Sequence, residues 1–263
     1  RVHSSMLGQE HHYHYRFVNP WVRPMGEKLN IWVPGVISPE TVVWAAEHRY
    51  PYVALATELQ GTAHMWKIYG ETAERMGYQV GPENFGYFQK VVVADTYEEA
   101  YELGKGHIFG GSFTPTRFAS LPGYNSKEAV RNYATKFYAN VAVRITMQDD
   151  LEAQRKALLE HYDRMIATGH IILGTPDQVI PKLKHVLSVL RPGILTIWGP
   201  EGPAPHEKVM HMLKLMGEQV LPALREHGKM LGLDDPFERY PGERPLPANG
   251  KWTPLVAEDA FAA

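Results

Sequence analysis

Short apolar segments that alternate with amphipathic helical segments constrain the fold of this chain most strongly. Apolar runs at 29–34, 52–56, 87–94 and 194–198 are each followed by a segment with helical features. This alternation is typical of parallel strands with helices packed outside them, as in doubly wound sheets and eight-stranded barrels. We count about four strand–helix units, whereas a complete barrel of this length has eight. The pattern therefore predicts an α/β fold that forms a partial (β/α)₈ TIM barrel with insertions.

Two helices have particularly clear start signals. Ser38-Pro39-Glu40-Thr41 combines an N-cap serine, a proline at the first helical position and an acid in the first turn. Thr175 and Gln178 have the spacing of a capping box.

We predict helices at 39–48, 61–77, 95–104, 127–139, 149–168, 176–190 and 205–227. The last has an apolar face made of Val209, Met212, Leu213, Met216, Val220 and Leu224.

The segments outside this pattern are rich in turn-forming residues. Residues 1–28 contain His and aromatic side chains and are expected to form an excursion with a hairpin. Residues 106–126 are rich in Gly, Pro and Phe, and loops of that length in compact domains often act as lids. We predict a body at 1–232 and an extended tail at 233–263.

The composition excludes several classes of protein. The 263 residues carry a formal net charge of −2, which gives no basic face for nucleic acid. The absence of cysteine excludes disulfides and Cys-based zinc sites. No apolar run approaches the ~20 residues of a membrane helix. The chain begins at Arg1 with neither Met nor an export signal, so we expect a cytoplasmic protein that is here an incomplete chain.

The segment 29–46 carries the clearest functional signal. A strand that ends near Pro34 is followed by Gly35 and by a helix that begins after Ser38. Ligands of parallel α/β folds gather beyond the carboxyl ends of the strands, where the amides and dipole of a helix N-terminus favour a phosphate. The hydroxyls of Ser38 and Thr41 lie three residues apart and are candidate phosphate ligands. Two observations weigh against this interpretation: serine is a common N-cap, and Glu40 adds negative charge.

Residues 31–46 resemble the fifth strand and helix of luciferase-like flavin monooxygenases, after a lead-in at 21–24. The helix start at 174–179 and the helix at 213–224 resemble the last two helices of that family. Leu121-Pro122-Gly123-Tyr124 lies where some members carry an insertion, and Tyr124 is a candidate gate. The resemblance covers residues 8–228 and rests on the order and spacing of these motifs.

The resemblance implies a dimeric (β/α)₈ barrel that binds reduced FMN, or in some branches a deazaflavin. FMN-dependent members use O₂ to oxidise a small organic substrate, with reduced flavin supplied by a separate reductase. It also implies that the phosphate is held by Gly35, Val36, Ile37, Ser38 and Thr41. The catalytic residues are unknown and are expected upstream of Arg1, so the chain is expected to be the C-terminal half.

Alternative interpretations stay open. The chain could be a deazaflavin-dependent oxidoreductase or a non-catalytic half-barrel that docks onto a homologous chain. His11, His12 and His14 suggest a metal site, although a surface hairpin explains them more simply. Ser112, Ser120 and Ser126 raise the idea of a hydrolase, but none of them sits in a strand–turn–helix serine elbow with flanking glycines. For Trp32 and Trp44, core packing is preferred over flavin stacking.

Overall fold

The computed structural model describes residues 2–6, 9–13, 31–36, 38–55, 59–109, 151–200 and 204–233. The chain divides into two compact units. One comprises Arg1–Asn30 and Gly111–Leu159, and the other comprises Ile31–Gly110 and Glu160–Ala263. The predicted boundary between a body at 1–232 and a tail at 233–263 falls where the described residues end, and it stays a prediction.

The N-terminal segment forms a hairpin. Strands β1 (Val2–Met6) and β2 (Gln9–Tyr13) pair in antiparallel fashion, with Val2 opposite Tyr13 and Met6 opposite Gln9. The expected hairpin is therefore confirmed. The side chains of this segment, including His11 and His12, lie outside the described residues, as does all of His14.

The second unit is built on a parallel sheet of five strands. These are β3 (Val33–Gly35), β4 (Tyr52–Leu55), β5 (Phe85–Val93), β6 (Ile171–Gly174) and β7 (Ile194–Trp198). The long strand β5 is central, because β4, β6 and β7 all pair with it. Since β4 and β7 pair with overlapping stretches of β5, they occupy its opposite edges. Strand β6 pairs with the same edge of β5 as β4 does, but with residues closer to the carboxyl end of β5.

Helices connect and cover these strands. They are α1 (Pro39–Glu47), α2 (Leu59–Arg75), α3 (Tyr97–Gly104), α4 (Gly106–Phe109), α5 (Leu151–Ala167), α6 (Pro176–Leu190), α7 (His206–Leu215) and α8 (Leu221–Leu231). A π-helical segment at Met216–Val220 joins α7 to α8. In α6, the Gln178 side chain accepts a hydrogen bond from the Thr175 amide at 3.0 Å, as the capping-box spacing predicts.

Aromatic side chains fix α2 against the sheet. Trp66 of α2 stacks on Phe85 of β5 with ring centroids 4.6 Å apart, and Tyr69 meets the same ring edge-on at 5.2 Å. The Tyr69 hydroxyl donates to the Tyr50 carbonyl at 2.9 Å. The three ring systems are fully buried. This packing ties α2 both to β5 and to the connection between α1 and β4.

The α/β fold class is confirmed, and within the described residues the five strands form an open sheet, as a partial barrel requires.

Strand β6 was missing from the sequence prediction. Its signal is the apolar run Ile171-Ile172-Leu173 between Gly169 and Gly174, which is too short for its periodicity to be informative. The predicted loop at 106–126 begins instead with the short helix α4, and the rest of that loop lies outside the described residues, as does the predicted helix at 127–139.

The last helical segment follows its predicted apolar face with one exception. Met212, Met216, Val220 and Leu224 are buried and Val209 is half-buried, whereas Leu213 is exposed. Among the described residues, no helix combines the length and the apolar character needed to cross a membrane.

Candidate functional site

The candidate phosphate corner is the junction between β3 and α1, where the carboxyl end of a parallel strand leads into a helix. Ser38 is the N-cap of α1, with extended backbone angles of φ −80° and ψ 111°, and Pro39 occupies the first turn. The fixed φ of proline suits that position and its missing amide costs nothing there. The local sequence therefore places the α1 N-terminus directly after the strand end.

The Ser38 side chain does not cap the helix in the usual way. It makes no hydrogen bond to an α1 amide, and its hydroxyl instead donates to the Glu40 carboxylate, with Oγ and Oε2 2.8 Å apart. A backbone hydrogen bond and this bond from Ser38 lower the pKa of Glu40. The first turn of α1 therefore stabilises a negative charge, and the group that supplies this charge is the exposed Glu40 carboxylate.

Gly35 is constrained by a neighbouring ring. A Cβ atom on Gly35 would lie 2.6 Å from the Tyr52 hydroxyl and 2.8 Å from its Cε2. The Tyr52 side chain is fully buried, its hydroxyl has no hydrogen-bond partner, and burial raises its pKa to about 12. No sequence pattern indicates this contact, because Tyr52 is simply the first residue of a predicted apolar strand. Tyr52 supplies a packing reason for glycine at position 35.

The other predicted site residues surround this junction. Val36 and Ser38 are exposed, and Thr41 is half-buried. Ile37 lies outside the described residues. The assignment of these residues to a phosphate stays a prediction, although the structure brings Gly35, Val36, Ser38 and Thr41 together at one strand end.

The preference for core packing is wrong for Trp44. Its side chain is 46% exposed and stacks on His48 with ring centroids 4.2 Å apart. Trp44 lies on the outward side of α1, whose buried residues are Val42, Ala45 and Ala46. Trp32 is half-buried.

A second cluster of polar side chains lies around Lys90 of β5. Lys90 is nearly buried, and its ammonium lies 5.0 Å from the ring centroid of Trp198 on β7. It is close enough to contribute to lowering the pKa of His107, His161 and His170, for which burial is the largest cause. Sequence reasoning missed these residues, because they come from four different elements and from the turn before β6.

The alternative chemistries find no support among the described residues. No group of three or more His, Cys, Asp or Glu side chains in that part of the chain could hold a metal ion. The loop residues considered for hydrolysis or gating, Ser112, Ser120, Ser126 and Tyr124, lie outside it.

The fold and the junction define the class of protein: a parallel α/β protein with a helix N-terminus at the carboxyl end of its first sheet strand. The family model described as luciferase-like monooxygenase matches residues 6–190, well over half of the chain. The chain therefore belongs to the luciferase-like monooxygenase family. No curated protein matches it.

Several solved structures are similar to the chain at low identity. Monooxygenase RslO1 from Streptomyces bottropensis is 16% identical, with a TM-score of 0.48, over 74% of this chain and 48% of that one. The oxygenating constituent of 3,6-diketocamphane monooxygenase from the CAM plasmid of Pseudomonas putida, in complex with FMN, is 19% identical, with a TM-score of 0.47. The match covers 73% of this chain and 47% of that one. The coenzyme F420 dependent tetrahydromethanopterin reductase from Methanopyrus kandleri is 18% identical, with a TM-score of 0.46. The match covers 73% of this chain and 50% of that one. The chain spans about half the length of each of these structures.

Proposed function

We propose that this chain forms the flavin-phosphate part of a luciferase-like, FMN-dependent monooxygenase that uses reduced FMN and O₂ to oxidise a small organic substrate. Family membership supports the flavin-type oxidoreductase, and the junction between β3 and α1 supports the location of the phosphate. The reduced FMN comes from a separate reductase, and the active protein is a cytoplasmic homodimer.

The hydrogen bond between Ser38 and Glu40 is the observation on which this proposal rests. The Glu40 carboxylate stands in for an anion at the start of α1, where it accepts from the Ser38 hydroxyl at 2.8 Å. Its lowered pKa indicates that this turn favours negative charge. A phosphate has the same preference for hydroxyl and amide donors at a helix N-terminus. The donors present therefore fit a phosphate, provided that the exposed Glu40 side chain turns away.

The residues that would hold the phosphate follow from this position. The Ser38 and Thr41 hydroxyls would donate to phosphate oxygens, and the backbone from Gly35 through Val36 and Ile37 would line the other side. Bound FMN supplies the redox chemistry, while the protein supplies placement and exclusion of water. In this proposal, the part played by the present chain is placement of the cofactor.

A charge-insertion experiment tests the proposal. Replacing Ser38 by Glu removes the hydroxyl donor and adds a second acid to the first turn, so FMN affinity should fall at least ~10-fold. The measurement is a fluorescence titration of FMN with the wild-type and variant proteins. His64→Glu, which adds an acid at an exposed position of α2, is the matched control. Equal affinity of Ser38→Glu and the wild type would contradict the assignment.

The two alternatives make different predictions in the same assay. A deazaflavin-dependent oxidoreductase would bind coenzyme F420 more tightly than FMN in parallel titrations. A non-catalytic half-barrel partner would bind neither, and size-exclusion chromatography would show an obligate dimer with and without FMN. Half-exposed residues along β7 and the exposed Ile31 beside β3 are the features that favour this second alternative.

A further inference from the structure

Four of the ten methionines of the chain lie on the C-terminal helical segment that consists of α7, the π-helical turn and α8. Met210 and Met230 are 51% and 78% exposed, whereas Met212 and Met216 are 2% and 4% exposed. Methionines in opposite environments therefore stand close together in one stretch of sequence, so their reactivities can be compared directly.

The buried methionines are packing residues. The methyl carbon of Met212 lies 3.2 Å from the position that a Cβ atom on Gly199, directly after β7, would take. Met65 of α2 and Met165 of α5 are buried as well. Oxidation of any of these side chains would bury a sulfoxide oxygen, and a buried polar group without a hydrogen-bond partner costs free energy.

The exposed methionines are free of this constraint. Met210 precedes Met212 by two positions and therefore lies on a different face of α7. Met76, which directly follows α2, is 48% exposed. Peroxide reaches such a side chain without any opening of the fold, and the polar sulfoxide that forms stays in contact with water. Oxidation at these positions therefore displaces no packing.

We propose that Met76, Met210 and Met230 are sulfoxidation sites, whose substrate is hydrogen peroxide and whose oxidation leaves the fold intact. In this reaction the thioether sulfur loses two electrons and gains one oxygen atom, while H₂O₂ is reduced to water. Reduced FMN that meets O₂ in the absence of an organic substrate gives oxidised FMN and H₂O₂, so this source of peroxide rests on the proposed function. The sites themselves depend only on exposure and packing.

Peptide mapping of the whole chain after treatment with H₂O₂ at pH 7 tests the assignment. Trypsin releases the peptide 209–214, which carries both Met210 and Met212, and fragment ions that separate at His211 assign the added oxygen. We expect Met210 to be oxidised at least about 10-fold faster than Met212, because Met212 reacts only when α7 opens locally.

The same chain unfolded in urea is the control for effects of local sequence. There Met210 and Met212 should be oxidised at rates that agree within about twofold, because both are open to solvent. In the folded chain, Met76 and Met230 should react at rates similar to that of Met210. The proposal is overturned if Met210 and Met212 react equally fast in the folded chain, or if Met76 or Met230 reacts as slowly as Met212.

Glutamine variants test whether a polar group is tolerated at each position. Met210→Gln and Met230→Gln should leave the urea midpoint unchanged, whereas Met212→Gln should lower it. Met212→Leu, which keeps an apolar side chain of similar volume, should restore most of that loss. A lower midpoint for Met210→Gln, or an unchanged one for Met212→Gln, also overturns the proposal. No measurement in this series uses FMN, so its failure leaves the proposed function untouched.

Discussion

The Ser38 hydroxyl donates a hydrogen bond to the Glu40 carboxylate at 2.8 Å, so the first turn of α1 holds a negative charge that belongs to the chain itself. The same residue was expected either to cap the helix or to bind a phosphate. It does not cap the helix through its side chain. If the proposed FMN phosphate binds here, Glu40 competes with it for the same hydroxyl.

This competition predicts that Glu40→Gln strengthens FMN binding. Glutamine keeps an acceptor oxygen but carries no charge, so it holds the Ser38 hydroxyl less strongly and does not repel the phosphate. We expect a gain of about fivefold in affinity. Fluorescence titration with FMN measures the effect. Glu47→Gln, at the opposite end of α1, is the matched control and should leave the affinity unchanged. Equal gains in both variants would mean that the effect is a general one of net charge.

The caps of α1 and α3 should respond differently to mutation. Thr96 accepts a hydrogen bond from the Glu99 amide at 3.2 Å, so Thr96→Ala should lower the free energy of unfolding by about 1 kcal/mol. Ser38 makes no such bond, and Ser38→Ala should cost only a few tenths of a kcal/mol, of the order of an ordinary surface substitution. Urea denaturation of both variants makes the comparison. A larger loss for Ser38→Ala would show that its hydroxyl caps α1 in solution.

Gly35 should not tolerate a side chain. Gly35→Ala places a methyl group against the buried Tyr52 ring, and we expect a loss of about 1–3 kcal/mol in the free energy of unfolding. Gly61→Ala is the matched control, because a Cβ at that position in α2 meets no atom within 4 Å. The free energy of unfolding of that variant should rise by about 0.5–1 kcal/mol, because alanine has a higher helix propensity than glycine. Similar changes in both variants would contradict the contact with Tyr52.

Stability should decrease in mild acid because of the buried histidines. Burial and the neighbouring Lys90 lower the pKa of His107 to about 3 and that of His170 to about 4, from 6.5. Between about pH 6.5 and pH 4 the unfolded chain therefore binds more protons than the folded chain. The free energy of unfolding therefore has its highest value above about pH 6.5. As the pH falls from about 6.5 to 4, it decreases by up to about 1.4 kcal/mol per pH unit for each histidine.

Replacing one of these histidines isolates its share of the acid sensitivity. His107→Gln removes one titrating group, so the slope of unfolding free energy against pH should become about 1 kcal/mol per pH unit shallower. Urea denaturation at several pH values between about 6.5 and 4 measures the slope. His211→Gln, on the surface of α7, is the control. Identical slopes for the wild type and His107→Gln would show that His107 does not remain neutral in the folded chain.

Most of the described helices and four of the five strands of the parallel sheet were predictable because their signals are local. Ser38-Pro39 and Thr175-Pro176 mark the starts of α1 and α6, and the observed helices begin at those prolines. Strand β5 carries enough consecutive apolar residues to be recognised. The four-residue strand β6 does not, and it is held in part by hydrogen bonds from Gln89, some 80 residues away in sequence.

The sequence by itself determined the α/β class, the alternation of strands and helices, and the helix start after Gly35, because these follow from side-chain periodicity and capping over a few residues. Only the tertiary structure decided that Tyr52 lies against Gly35, that the Ser38 hydroxyl turns to Glu40, and that Trp44 is exposed. It also buried Lys90 against the ring of Trp198. Such contacts depend on how strands pair and which face of a helix is covered, and distant segments acquire those relationships only when the chain packs.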